Sequence, residues 1–120
     1  MTLSILIPVY NEEKTILSII NKVVSFKLIE NISKEIIVIN DCSADNTEEI
    51  ILSYKKSNPE VDLKYFKHEK NSGKGSAIHT GIKNATGDFV IVQDADLEYD
   101  PNEMNVLLKP VLDGFADVVY

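Results

Sequence analysis

EIIVINDCSADNTEEIILSYKK, Glu35 to Lys56, holds one complete strand–loop–helix unit. Glu35 to Ile39 is a β-branched run of the kind found in strands covered on both faces. Asn40 to Thr47 is polar and dominated by short side chains, so it reads as a loop. Glu48 to Lys56 reads as a helix, with Asp45 as its N-cap and Glu48 three residues on. The same unit recurs on both sides. Upstream, Ser4 to Val9 is a buried-strand run that stops near Pro8. From Ile16 the apolar period changes to helical, through Ile19, Ile20, Val23 and Val24. Downstream, Leu63 to Phe66 is a weaker strand. Ala77, Ile78, Gly81, Ile82 and Ala85 form a helical stripe whose small members imply close packing on a sheet. Asp88 to Val92 is a fourth strand. Asp100, Pro101 and Glu103 open a helix, which Pro110 ends or kinks, and Asp117 to Tyr120 is a fifth strand run. Strand and helix alternate throughout. That predicts an α/β fold, a mostly parallel sheet with helices on both faces. Ligands of such sheets sit at the carboxyl ends of the strands, near the switch in strand order. The loops after strands one, two and four therefore carry the functional reading.

Composition narrows the classes. The 120 residues carry 12 basic and 19 acidic groups, a net charge of −7. All the basic residues are lysines, so the planar fork that grips phosphate is absent. A chain this acidic lacks the basic face that nucleic acid requires, and an anionic ligand must be held by a local site. At 44% hydrophobic the chain can bury a core. No apolar run approaches the roughly 20 residues that span a bilayer. Met1 to Ser4 shows no signal-peptide pattern. The single cysteine, Cys42, excludes an internal disulfide and fits a reducing, cytosolic setting.

The loop after strand one, Pro8-Val9-Tyr10-Asn11-Glu12-Glu13, has none of the glycines of a dinucleotide fingerprint. Read alone, it is a helix cap by Asn11 with acids on the helix dipole. The loop after strand two is a turn and cap, or else a site where Asp41 accepts hydrogen bonds from a base or ribose. Cys42 is a small turn residue. After strand four, Asp94 and Asp96 are spaced i, i+2, which on an extended backbone points both carboxylates the same way, and Glu98 continues the series. Converging carboxylates repel unless a hard divalent cation joins them, and magnesium or manganese fits such oxygen donors; the alternative is an ordinary acidic loop. Between strands three and four, Gly73-Lys74-Gly75 at a helix start can admit a phosphate or base closely, although it is not a P-loop. His68 and His79 show no metal-ligating pattern, and a helix-surface or core position suits His79 better than a catalytic one.

These segments together resemble the family 2 glycosyltransferases with the Rossmann-like GT-A fold, nearest the dolichyl-phosphate mannose synthase and polyprenyl-phosphate sugar transferase branch. The resemblance is carried by IPVYNEE (Ile7 to Glu13), VINDCSADNT (Val38 to Thr47), NSGKGSAIHTGIKNATGD (Asn71 to Asp88) and DADLEYDP (Asp94 to Pro101). It implies that Pro8, Tyr10 and Glu12 line a nucleotide pocket, that Asp41 holds the base, and that Gly73 and Lys74 sit beside the nucleotide. It implies that Asp94 faces ribose and metal, that Asp96 binds the metal, and that Glu98 supplies a further ligand. Two positions depart from the family pattern of two aspartates and a glycine before the serine. Asn40 loses a charge, and Cys42 removes a glycine's freedom at positive φ.

The resemblance further implies an inverting transfer of sugar from a UDP- or GDP-linked donor to a polyprenyl phosphate or saccharide acceptor, with Mg2+ or Mn2+ aiding the leaving diphosphate. A lipid-linked acceptor implies work at the cytosolic face of the membrane. Family domains run further than this chain. Residues 1–120 are therefore expected to be one domain truncated at its C-terminal end, with the acceptor base beyond it. A nucleotide- and metal-binding fragment without turnover, and a receiver-like regulatory domain, are the alternatives; the second fits Tyr10-Asn11-Glu12-Glu13 poorly, since it needs an acidic pair there.

Overall fold

The computed structural model describes residues 2–25, 32–93 and 118–119. The elements run β1 (Thr2–Val9), α1 (Ile16–Ser25), β2 (Ser33–Asn40), α2 (Thr47–Ser57), β3 (Leu63–Lys67), α3 (Lys74–Asn84), β4 (Phe89–Val92) and β5 (Val118–Val119). They form one sheet in the order β3-β2-β1-β4-β5, and every pairing is parallel. The chain winds outward from β1 to β3, then crosses back over β2 and β1 to start β4. The switch in strand order thus falls between β1 and β4, and the carboxyl ends of those strands mark the place for a ligand.

Alternation along the strands assigns the two faces. Leu3, Ile5, Ile7 and Val9 of β1 pack with Ile36 and Val38 of β2, Ile16, Ile19, Ile20 and Val23 of α1, and Ile51 of α2. Leu6, Ile37 and Ile39 point the other way and pack with Ala77 of α3 and Val90 of β4. Because both faces are covered, β1 and β2 read as continuous apolar runs. Gly81 lets α3 lie close, since a Cβ there would stand 2.9 Å from the Cδ1 atoms of Ile39 and Leu6. The exit of α1 is tied down by Lys34, whose ammonium donates to the carbonyls of Val23 and Val24 at 2.8 and 2.7 Å.

Two local expectations change. Pro8 lies inside β1 rather than stopping it, paired in register with Ile39. Leu6 bonds toward β4, its carbonyl accepting the Gln93 amide, so Pro8, two residues on, turns the same edge. Its missing N–H falls past the last β1–β4 pair, Leu6 with Val92, where no ladder bond is lost. The N-cap of α2 is Asn46 rather than Asp45, and its side chain makes no cap bond. Asp45 still accepts the Thr47 amide at 3.0 Å, one position outside the cap. The helix expected from Asp100 lies outside the described residues.

The amino end of the sheet is closed by one charge. Glu35, paired in register with Ser4, is 1% exposed. Its carboxylate accepts the Ser4 hydroxyl at 2.6 Å, the Thr86 amide at 2.9 Å, the Thr86 hydroxyl and the Lys64 ammonium. Burial pushes this carboxyl up, but Lys64, Ser4 and Thr86 outweigh it and hold it at about 2. Gly87 donates its amide to the Ser4 hydroxyl at 2.9 Å, and a Cβ there would meet that oxygen at 2.5 Å and the Thr2 carbonyl at 2.8 Å.

Candidate functional site

The loops leaving β1, β2 and β3 are stitched together at the carboxyl end of the sheet. Asn11 takes a left-handed φ of 52°, which an asparagine tolerates. Its amide donates to the Ser43 hydroxyl at 2.9 Å, and its side-chain oxygen accepts the Ala44 amide at 2.7 Å. It is therefore not the cap of α1. The Thr15 and Ile16 amides bond the Glu12 carbonyl instead, and the Glu12 carboxylate accepts the Thr15 hydroxyl at 2.9 Å. The Glu12 amide donates to the Thr47 hydroxyl at 3.0 Å. Glu13 and the entry to α2 bond reciprocally. The Glu13 amide donates to Asp45 at 3.2 Å, and the Asn46 amide donates to Glu13 at 3.1 Å. A carboxylate from the first loop thus serves the free amides at the start of α2.

Asp41 is the centre of the arrangement. It leaves β2 with its amide bonded to the Val9 carbonyl at 2.9 Å and is 4% exposed. Its Oδ1 accepts the Ser72 amide at 2.9 Å and lies 2.8 Å from His68 Nδ1; its Oδ2 accepts the Gly73 amide at 2.8 Å. Burial works to raise this carboxyl. The Ser72 amide, His68 and the Gly73 amide outweigh burial and hold it below the ordinary range, so Asp41 is ionised at neutral pH. Gly73 has φ 94° and precedes α3, and a Cβ there would meet nothing within 4 Å, so glycine serves this turn through backbone freedom rather than space. Lys74 opens α3, and residues 71–76 are exposed.

Asn40 faces away from this turn. Its side-chain oxygen accepts the Ser43 amide at 2.9 Å and its Nδ2 donates to the Tyr65 hydroxyl at 2.9 Å, which in turn donates to Glu48 at 2.7 Å. Burial and then Glu48 push Tyr65 up to about 12, against the Asn40 bond. An aspartate at 40 would offer no proton to a hydroxyl already committed to Glu48, so the asparagine has a local cause. Cys42 adopts φ 62°, so the turn takes the left-handed conformation without a glycine.

Pro8 and Tyr10 lie at the end of β1 and just past it, with Tyr10 47% exposed. The structure thus gathers Pro8, Tyr10, Glu12, Asp41, Gly73 and Lys74 at one end of the sheet. Asp94, Asp96 and Glu98 lie outside the described residues, and β4 is described up to Gln93, whose amide bonds Leu6 beside the same end. Among the described residues no cluster of three or more His, Cys, Asp or Glu is placed to hold a metal. His68 lies outside every motif, and Thr80 falls within the Asn71 to Asp88 segment without an assigned role. The one signal for His68 is its position directly after a strand.

Residues 4–120 match the family model described as glycosyl transferase family 2. The chain belongs to this family. It is 42% identical over 98 residues to the poly-β-1,6-N-acetyl-D-glucosamine synthase of Staphylococcus epidermidis, covering 82% of this chain and 22% of that protein. It is 34% identical over 116 residues to the undecaprenyl-phosphate 4-deoxy-4-formamido-L-arabinose transferase of Yersinia pestis, covering 97% and 35%. The structure superposes on S. aureus TarS in complex with UDP-GlcNAc with a TM-score of 0.76 at 28% identity, covering 94% of this chain and 32% of that one. It also superposes on glucosyl-3-phosphoglycerate synthase of Mycobacterium tuberculosis, in complex with Mn2+, UDP-glucose and phosphoglyceric acid. There the TM-score is 0.74 at 27% identity, covering 94% and 40%. The glycosyltransferase fold expected from the sequence is therefore the fold observed. This chain spans about a fifth to two fifths of the length of these relatives. A receiver-like domain is set aside on topology too, since the flavodoxin-like class to which receivers belong orders its strands 2-1-3-4-5. Among the described residues no helix is long and apolar enough to cross a membrane.

Proposed function

We propose that this chain forms the donor-binding part of an inverting, metal-dependent glycosyltransferase, and that the donor is a nucleoside-diphosphate sugar. The observation that carries the reading is the Asp41 carboxylate, ionised and fixed at the strand ends, holding the Ser72–Gly73 turn by two amides. Asp41 receives the base, with Pro8, Tyr10 and Glu12 along the pocket and Gly73 and Lys74 beside the nucleotide. The neighbours bound to UDP-GlcNAc and UDP-glucose favour UDP over GDP as the carrier.

Asp94, Asp96 and Glu98 are the proposed ligands of Mg2+ or Mn2+. Three carboxylates at alternate positions are hard oxygen donors, which suits those ions. When bound, the metal stabilises charge on the departing diphosphate. The chain's own residues fix the nucleotide so that the anomeric carbon presents one face to the acceptor. The acceptor is a polyprenyl phosphate or a saccharide. An acceptor phosphate is already an anion and needs no protein base, and a lipid-linked one would bring the chain to the cytosolic membrane face.

Calorimetric titration with UDP and with GDP, each with Mn2+ and again with EDTA, tests the reading. Metal-dependent binding of UDP is the expected result, and Asp96→Ala should abolish it. Binding of UDP that ignores EDTA would remove the metal site. No binding of either nucleotide by the folded chain would contradict the proposal.

A further inference from the structure

His68 lies outside every motif and Thr80, within the Asn71 to Asp88 segment, has no role in the donor-site reading, yet they form a hydrogen-bonded line onto Asp41. His68 follows β3 directly, and its amide bonds the Asn40 carbonyl at 2.9 Å. Its side chain is 15% exposed. Nδ1 lies 2.8 Å from Asp41 Oδ1, and Nε2 lies 2.7 Å from the Thr80 hydroxyl on the second turn of α3. Both ring nitrogens are therefore committed, one to the loop after β2 and one to α3. Because Asp41 is ionised, it can only accept, so Nδ1 carries the proton. In the neutral ring Nε2 is then a lone pair, and Thr80 donates to it. The two bonds together fix the tautomer and the plane of the ring.

The consequence reaches the loop. Asp41 holds α3 twice, directly at the Gly73 amide before its first turn and through His68 at Thr80. Its Oδ1 is filled by His68 and Ser72, while the one described bond to Oδ2 comes from Gly73. Without His68 the carboxylate is held by the Ser72 and Gly73 amides alone, one on each oxygen, and any rotation about its Cβ–Cγ bond draws the acceptors off those amides.

We infer that His68 is a positioning residue: backed by Thr80, it fixes the Asp41 carboxylate, and through it the Ser72–Gly73 turn against which the nucleotide is bound. The inference rests on the donor-site reading above and adds to it two residues to which that reading gives no role.

Substitutions at His68 separate its two bonds. His68→Asn keeps an amide N–H where Nδ1 stood and so keeps Asp41. His68→Gln reaches Thr80 and leaves Asp41 without its side-chain donor, and His68→Ala loses both. Titrated with UDP and Mg2+, His68→Asn should bind within about threefold of the wild type. His68→Gln and His68→Ala should weaken by about tenfold, the size of one charged hydrogen bond. Thr80→Val should leave the Nδ1–H signature in place and move the Nε2 resonance, which loses its hydrogen-bond donor, in a 15N imidazole spectrum that is simple to assign because the chain has 2 histidines. Equal affinity in all three His68 variants, with lowered melting temperatures alone, would mean a merely structural role and would overturn the inference. If the folded wild type binds no nucleotide, the donor-site reading fails separately. The Ser72 and Gly73 amide resonances then decide the inference: displaced in His68→Gln and retained in His68→Asn supports it, and unmoved in both overturns it.

Discussion

Glu35 and Asp41 are both buried acids carried by or just beyond β2, and they close opposite ends of the same sheet. Glu35 sits at the amino end among Ser4, Lys64, Thr86 and, through Ser4, Gly87. Its partners include a full counter-charge, and Glu35 itself is 1% exposed. Asp41 sits at the carboxyl end, with no lysine among its described partners. It is held by two backbone amides and a histidine, and the turn it holds is exposed. A counter-charge satisfies a carboxylate and removes it from further chemistry. Backbone amides satisfy it while leaving it beside an open surface. The difference separates a group that fastens the fold from one that organises a site, although both are buried and ionised.

The largest expected effect lies at the amino end. Glu35→Ala should destabilise the chain by roughly 3 kcal/mol, since it leaves the buried Ser4 hydroxyl and the Thr86 amide without their acceptor and opens a hole at the strand. Urea unfolding measures this loss. The same group sets an acid limit. Its folded value of about 2 lies below the ordinary carboxylate value of 4.5. The stability it contributes is therefore complete above pH 4.5 and is lost as pH falls toward 2. Thermal melting between pH 5 and 2 should show that loss, and Glu35→Gln should flatten it; an unchanged slope in the variant would assign acid unfolding to other carboxyls.

Gly87→Ala comes next, at about 2 kcal/mol, because the new methyl meets the Ser4 hydroxyl and backbone atoms of Thr2 and Ser4. Like Glu35→Ala, it should leave the nucleotide affinity of the folded protein intact. Asp41→Asn should do the reverse. Its stability cost should be about 1 kcal/mol, but UDP affinity should fall by about tenfold or more. Equal losses of affinity from the two ends would erase the distinction between them. The smallest effect is a gain: Cys42→Gly should add about 1 kcal/mol by relieving a left-handed cysteine.

β1 and β2 were legible because each carries an apolar run covered on both faces, and the start of α3 because Gly73 and Lys74 announce it. The loops that form the site were legible because parallel topology fixes which ends matter. What was not legible is pairwise. Glu35 reads as the first residue of a strand, and nothing local says that Lys64 and Thr86 will meet it. Asn40 reads as a departure from the family pattern, until Tyr65 and Glu48 supply the reason for an amide. His68 reads as an isolated histidine, because both of its partners are distant in sequence. Cys42 shows the limit of residue preference, since the turn takes the conformation a glycine favours and strains a cysteine into it.

The central claim is that nucleotide binds at the Asp41 end. The direct measurement is an amide chemical-shift map of the 15N-labelled chain titrated with UDP and Mg2+. Perturbations gathered at Tyr10 to Glu13, Asp41 to Asp45 and Ser72 to Lys74, with Ser4, Glu35 and Thr86 unmoved, are the predicted result. Perturbations centred instead on the Glu35 cluster, or on the groove between α1 and α2 at Leu17, Ile50 and Tyr54, would contradict it.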